Sequence, residues 1–511
     1  MGERVHKSIL NAEVNIFFYF ITLFLTFFSR KIFLDCLGAE FIGLTGTLGN
    51  ILGYLNLAEF GITACIGYFL FKPLQSDNRQ EIQEILSLLG YLYNKIGCII
   101  LTGGILISFF FPLIFSKAEL GLGIIYFAFY SYLGSSLTSY FINYRQTLLS
   151  ADQKSYLVAI YFQSANIIKV LLQIFIAYSY KNFYLWVGIE FIFGIIGCII
   201  LNCKINKEYP WLRVDKRRGK TLLKKYPEII TKTKQVFIHK IKDFVLVKSD
   251  ELFIFLFVSS LKMVAYYGNY MMIISKLISL FSSATSSVGA SIGNLVAEGN
   301  KQNMLKVFWE YTTIQHTIAA ILCFSLYTLI EPFITHWLGP EYIMDRRILI
   351  LLIIYIYITN SRNSVDSFNY AHGLYADVWS AWAELIINIS ITIIGGLKWG
   401  IIGILLGKIV SLLAIVVLWK PYYLFTSGFK ESVSIYWKGV LRNYGISIFA
   451  FAFATYALKH VPVNPYHNIW TWALYAAIGI AIFLSIDLSA TLLFAKGAKD
   501  SLSRIKNFRK Q

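Results

Sequence analysis

The chain has 511 residues, of which 57% are hydrophobic and 14% are charged, and its mean hydropathy is +0.61. A soluble core cannot absorb so much apolar surface, so this composition excludes an ordinary soluble domain and is typical of multi-pass helical membrane proteins. The formal net charge is +18. Most of the Lys and Arg residues lie between or after apolar runs, which favours anionic lipid headgroups over nucleic acid as their partners.

The N-terminal part of the chain contains six apolar runs that are long enough to cross a bilayer as helices. The first run carries polar residues spaced three or four positions apart, which places them on one helical face. We expect Asn15, Thr22 and Thr26 on this face to line a wet cavity, and helix packing is the alternative. The six runs lie at about 14–34, 41–71, 88–115, 120–141, 157–180 and 184–201.

A basic connector at 204–248 follows, and eight further apolar runs come after it. Because Lys and Arg close to membrane spans resist translocation, the connector and both termini are predicted to be cytoplasmic. The second of these later runs has Ser275, Ser279 and Ser282 at helical spacing, which predicts a second polar cavity wall. The eight runs lie at about 244–261, 267–296, 306–334, 348–370, 378–395, 401–424, 445–457 and 470–494. We therefore expect fourteen spans, or twelve if the last pair does not cross.

A faint internal repeat relates the two sets of spans. The turn Asn78-Arg79-Gln80 returns 222 positions later as Asn300-Lys301-Gln302, and Asn166 returns at the same interval as Asn388. Repeated bundles are common in transporters. The predicted domains are a six-helix lobe at 1–203, the connector at 204–248, a second six-helix lobe at 249–425, and an additional helix pair with a basic tail at 426–511.

The sequence contains no catalytic constellation. A P-loop, an HExxH motif, a G-x-S-x-G elbow and a metal-spaced His/Cys cluster are all absent, and the six cysteines have no CxxC spacing. We therefore expect a transporter that is not an enzyme and has no cofactor and no metal.

The informative residues are ionisable groups inside or at the ends of apolar runs. A cation in hydrocarbon costs a few kcal/mol, so it normally faces a cavity or a counter-ion, and snorkelling to an interface is the alternative. Such cations suit an anionic substrate. The cations concerned are Lys169, Lys408, Lys276, Arg145 and Arg362.

Acids in similar positions are candidates for ion coupling. They are Glu59, Glu190 and Glu251, with local pairing as the alternative, for example between Glu251 and Lys248. His316 is predicted to be packed and hydrogen-bonded in the core rather than to relay protons.

Three stretches together resemble a known family. AEFIGLTGTLGNILGYLNLAEFGI at 39–62, KPLQSDNRQEIQEI at 72–85 and NYMMIISKLISLFSSATSSVGASIGNLVAEGN at 269–300 are similar to bacterial Wzx-type polysaccharide flippases. These belong to the multidrug/oligosaccharidyl-lipid/polysaccharide exporter (MOP) superfamily. The resemblance covers roughly Arg4 to Leu424.

The resemblance implies two six-helix lobes in a V-shaped exporter fold around a central cavity, with two further C-terminal helices. The implied activity is to flip an undecaprenyl-pyrophosphate-linked O-antigen or capsule repeat unit from the inner to the outer leaflet of the bacterial inner membrane by alternating access. The implied partners are this lipid-linked oligosaccharide, membrane lipids, a polysaccharide polymerase and glycosyltransferases.

Three alternatives remain open. A peptidoglycan-precursor flippase shares the logic of an anionic substrate. A cation-coupled multidrug exporter is disfavoured because the first span has acids, Glu13 and Asp35, only at its ends. A membrane glycosyltransferase or polymerase ranks last because the predicted outer loops are short.

Overall fold

The structure is a computed structural model, and every regular element in the part of the chain that it describes is a helix. Nine helices of this part are long and apolar enough to cross a membrane, and each of the fourteen predicted spans overlaps a helix. The predicted all-helical membrane class is confirmed. The described residues are 2–59, 62–116, 118–152, 154–231, 233, 249–285, 292, 295–296, 299–374 and 377–500.

The chain divides into two compact units, and the boundary falls after Ala265. The predicted domain boundaries after residues 203, 248 and 425 stay predictions. Residues 232 and 234–248 of the predicted connector lie outside the described part of the chain.

Eleven of the α-helices that the structure describes belong to unit 1. They are α1 (Gly2–Leu37), α2 (Ala39–Leu55), α3 (Ile62–Gln75), α4 (Arg79–Ser108), α5 (Phe111–Ile114), α6 (Leu122–Phe141), α7 (Gln146–Ala151), α8 (Ser155–Tyr180), α9 (Phe183–Glu208), α10 (Gly219–Lys225) and α11 (Asp250–Val258). Within this unit α1 packs along α8, α6 along α9, and α11 against α2.

Helix α12 (Leu261–Thr285) begins at the end of unit 1 and continues into unit 2. The remaining helices form unit 2, in which α13 packs against α14, α17 and α18. They are α13 (Lys301–Trp337), α14 (Arg346–Ala371), α15 (Val378–Trp399), α16 (Ile401–Gly428), α17 (Val433–Leu458) and α18 (Ile469–Phe494).

The repeated Asn-Arg/Lys-Gln turn has the same structural role in both units. The Asn78 side chain accepts a hydrogen bond from the Glu81 amide at 3.2 Å and caps α4. The Asn300 side chain accepts one from the Asn303 amide at 3.1 Å and caps α13. Asn is a preferred N-cap because its oxygen satisfies an amide that has no partner within the helix. The repeat in the sequence therefore marks two equivalent helix starts.

The core of unit 2 is built on α13. Phe308 is fully buried, and its ring centroid lies 5.4 Å from that of Phe368 and 5.5 Å from that of Phe425. Further along the helix, His316 is buried and its Nδ1 lies 3.0 Å from the Tyr357 hydroxyl, which confirms the prediction of a packed, hydrogen-bonded histidine.

Close contact between α15 and α16 depends on glycine. A Cβ added to Gly403 would lie 2.0 Å from the carbonyl carbon of Gly395, so the two backbones touch directly. Gly403 and Gly407 form a GxxxG pair, the pattern that lets membrane helices approach closely.

We predict that Gly403→Ala lowers the free energy of unfolding by about 1–3 kcal/mol, because the new methyl group has no room and the helices must separate. The measurement is the thermal unfolding midpoint of the purified protein in detergent. Gly188→Ala is the matched control, since a Cβ there meets nothing within 4 Å and alanine favours the helix by about 1 kcal/mol. Equal midpoints for the two variants would contradict the glycine contact.

Candidate functional site

Unit 1 holds an ion pair between two of its membrane helices. Lys169 on α8 lies 2.7 Å from a carboxylate oxygen of Glu190 on α9, and the two side chains are 17% and 26% exposed. Gln173, one turn after Lys169, donates to the other Glu190 oxygen at 3.1 Å and to the Trp186 carbonyl at 3.2 Å. A predicted substrate-binding cation and a predicted ion-coupling acid therefore neutralise each other, as charges in hydrocarbon require.

Unit 2 also places one cation and one acid near the middle of the corresponding helix pair. Lys408 on α16 is only 3% exposed, and its ammonium lies 4.8 Å from the centroid of the Tyr355 ring. Glu384 and Asn388 are buried one turn apart on the same face of α15. The signs are exchanged between the units: in unit 1 the lysine is on the earlier helix of the pair, and in unit 2 it is on the later one.

Arg145 lies in a short 3-10 turn, Asn143–Arg145, between α6 and α7. Its Nε and Nη2 donate to the Asn202 side-chain oxygen at 3.2 and 2.6 Å, and its Nη1 donates to the Asn206 side-chain oxygen at 2.7 Å. The predicted cation is therefore oriented by two amide side chains of α9.

Lys216 of the connector lies against the end of α6 and the turn that carries Arg145. Its ammonium donates to the Asn94 side-chain oxygen at 3.2 Å and to the Phe141 carbonyl at 3.1 Å, and it lies 4.6 Å from the centroid of the Tyr144 ring. Burial and the nearby positive charge of Arg145 lower the pKa of Lys216. We call this arrangement the Arg145–Lys216 site.

Sequence reasoning missed Lys216, because it is one of many cations in the connector. The sequence signal that could have found it is Gly219, three residues further on, which is the only glycine between 204 and 248. A Cβ on Gly219 would lie 2.1 Å from Cγ of Tyr91, and one on Gly90 would lie 3.1 Å from Cγ of Lys216. Glycine at both positions lets the connector lie directly on α4.

Further contacts fasten the same part of the connector to α4. The Asp215 amide donates to the Ser87 hydroxyl at 3.0 Å, and the Tyr226 hydroxyl donates to the Glu84 carboxylate at 2.7 Å. Lys225 forms an ion pair with the same Glu84. The described part of the connector is thus a packed segment of unit 1.

Arg362 and Glu251 have partners within their own units. Arg362 pairs with Asp366 one turn later at 3.2 Å. The Glu251 carboxylate accepts from the Asn50 side-chain amide at 2.6 Å, and its predicted partner Lys248 lies outside the described residues.

The third predicted acid, Glu59, accepts from the Tyr93 hydroxyl at 2.5 Å. Lys276 is half-buried on α12. Whether any of these ionic groups binds substrate or couples an ion stays a prediction.

The two predicted polar walls differ in exposure. Thr22 and Thr26 are half-buried on α1 and donate to the carbonyls of Phe18 and Thr22, at 2.7 and 2.5 Å. This back-bonding satisfies their hydroxyls inside the helix.

Ser275 and Ser279 on α12 are exposed, and their hydroxyls donate to the carbonyls of Met272 and Ser275, at 3.0 and 2.8 Å. The side chains of Asn15 and Ser282 lie outside the described part. The role of these residues as cavity walls stays a prediction.

Two solved structures have the same architecture. The lipid II flippase MurJ, in an inward closed conformation, superposes with a TM-score of 0.63 at 16% identity, covering 95% of this chain and 98% of that one. The chain has the fold of this flippase. An inward-facing multidrug resistance MATE family transporter of the MOP superfamily superposes on the same fold with a TM-score of 0.59 at 14% identity, covering 80% of this chain and 95% of that one.

The superposition on a MOP-superfamily transporter agrees with the fold expected from the sequence. No protein-family model and no curated protein matches the sequence. At these identities the two likenesses show the fold, and the substrate is a separate question.

We predict that Lys169→Met and Glu190→Gln each destabilise the protein, while the double variant regains most of the loss. Removing one partner of a fully buried pair costs about 3–5 kcal/mol because the other charge is left unpaired, and the residual exposure here lowers that cost. The measurement is a double-mutant cycle on the thermal midpoint.

The exposed pair Lys262 and Glu119, at 53% and 73% exposure, is the control. Single substitutions there should cost less than about 1 kcal/mol. Additive effects of Lys169→Met and Glu190→Gln would show that the pair is not coupled.

Proposed function

We propose that this protein flips a lipid-linked oligosaccharide, carried on undecaprenyl pyrophosphate, from the inner to the outer leaflet of the bacterial inner membrane. The observation that carries the proposal is the superposition on a lipid II flippase over 95% of this chain and 98% of that one. The resemblance of the sequence to Wzx-type polysaccharide flippases supports the choice of an oligosaccharide of the O-antigen or capsule type.

The charged groups inside the helices suit such a substrate. A pyrophosphate offers oxygens for charge-assisted hydrogen bonds from Lys or Arg, which are about twice as strong as neutral ones. Lys169 already contacts one carboxylate, so a phosphate oxygen would take the place of Glu190. Lys169 would then have two arrangements, one paired with Glu190 and one paired with the substrate, and alternating access requires a protein with two such states.

The proposal includes the orientation and the partners predicted from the sequence. Both termini and the connector face the cytoplasm, where glycosyltransferases assemble the substrate, and a polysaccharide polymerase receives the product. Glu59, Glu190 and Glu251 are the proposed ion-coupling acids. Lys276 and Arg362 complete the proposed cationic set with Lys169, Lys408 and Arg145.

A peptidoglycan-precursor flippase is the second candidate. The superposition on a lipid II flippase favours it specifically, and the two candidates share a pyrophosphate-linked polyprenyl substrate. They differ only in the group beyond the pyrophosphate.

The decisive experiment reconstitutes the full chain in proteoliposomes with one substrate at a time. The substrates are an undecaprenyl-pyrophosphate-linked oligosaccharide, lipid II, and ethidium as a multidrug probe. A membrane-impermeant glycosidase or label measures how much lipid reaches the opposite leaflet. We expect the oligosaccharide lipid to move. Movement of lipid II alone would establish the second candidate, and movement of ethidium alone would overturn both flippase proposals.

We predict that Lys169→Ala and Lys408→Ala each slow the flipping of the oligosaccharide lipid by about tenfold or more, the effect of one lost charge-assisted contact. Initial rates are normalised to the amount of folded protein, because Lys408 is buried. Lys262→Ala, which removes an exposed cation, is the control and should flip at the normal rate. Normal rates in both test variants would rule out a role for these cations in transport.

A further inference from the structure

The Arg145–Lys216 site differs from its surroundings in its counter-ions. Close by, Lys154 lies 2.8 Å from Asp152 and 2.9 Å from Glu208, so this end of unit 1 supplies carboxylates to cations. Within the described residues, Arg145 and Lys216 form no ion pair, and their hydrogen bonds go to amide and carbonyl oxygens. Two neighbouring positive charges are therefore held by neutral groups alone.

The two side chains keep donors for a further partner. A guanidinium has five N–H groups, and the bonds to Asn202 and Asn206 use three of them, which leaves one on each terminal nitrogen. An ammonium has three, and the bonds of Lys216 to Asn94 and Phe141 use two. The two cations thus keep three charge-assisted N–H donors, which match the oxygens of a phosphate group.

The site is built before any ligand arrives. Asn202 is itself fixed, because its amide donates to the Cys198 carbonyl at 2.9 Å and to the buried Asn143 side chain at 3.4 Å. Arg145 and Lys216 are half-buried, and Asn206 at the rim is exposed. A ligand can therefore reach cations whose positions are already set, which lowers the entropic cost of binding.

We propose that Arg145 and Lys216 bind a phosphate or pyrophosphate ester, with the two terminal nitrogens of Arg145 and the ammonium of Lys216 donating to its oxygens. The bound anion would relieve the repulsion between two partly desolvated cations. The inference rests on the proposed function only in that a lipid-linked pyrophosphate is one source of this group, and a soluble phosphate compound is the other. Basic pockets at the ends of membrane helices are known to suit lipid headgroups.

The test uses the full chain in nanodiscs of phosphatidylcholine, which has no net charge. The two probes are sodium pyrophosphate, followed by calorimetry, and undecaprenyl pyrophosphate, followed by native mass spectrometry. We expect at least one probe to bind the unsubstituted protein. Binding of the lipid alone would identify a headgroup site, and binding of sodium pyrophosphate alone would identify a soluble ligand.

Arg145→Gln and Lys216→Gln should each weaken binding about tenfold or more. Lys216→Arg keeps the charge and should retain most of the affinity. Arg217→Gln, which removes the exposed cation next in the chain, should change the affinity less than twofold. The thermal midpoint of every variant is measured, and if Arg145→Gln does not fold, the two Lys216 variants decide.

Two outcomes would overturn the site. The first is that neither probe binds. The second is that Arg217→Gln weakens binding as much as the two test variants, which would indicate attraction by the general positive charge of the connector and not by a defined site. Failure of the flipping experiment with normal pyrophosphate binding would overturn the proposed function and leave this site standing. Normal flipping without pyrophosphate binding would overturn this site and leave the proposed function standing.

Discussion

The main constraint on this structure is the free-energy cost of placing ionised side chains among membrane helices, away from water. An ionised side chain among membrane helices has to find a partner of opposite sign or a strong dipole, since the lipid offers neither. Lys169 and Glu190 meet this requirement across the interface of α8 and α9, with Gln173 holding the second carboxylate oxygen. Lys408 on α16 meets it against the ring of Tyr355 on α14.

In the part that the structure describes, the connector also packs against unit 1. Its cations lie outside the apolar spans, so water could solvate them, yet Lys216 and Lys225 lie against α4 and the turn after α6. Glycines at positions 90 and 219 allow that close approach. The connector therefore adds to the polar surface of unit 1 as well as linking spans along the chain.

Much of the fold follows from the sequence because span length, hydropathy and helix caps are local properties. The Asn78 and Asn300 turns were recognisable as equivalent from their letters and proved to be equivalent caps. The identity of Lys169 as an intramembrane cation was also readable. Its pairing with Glu190 was not, because the rotation of one helix against another depends on packing over the whole interface. Lys216 was hidden because it is one of many cations in the connector.

The exchange of signs between the two units has a consequence for how such a chain enters the bilayer. Near the middle of its spans, each half carries one acid and one base within its own adjacent pair of hairpin-connected helices, Lys169 with Glu190 and Glu384 with Lys408. Each hairpin can therefore enter the bilayer with its mid-span charges already balanced, without waiting for the other half.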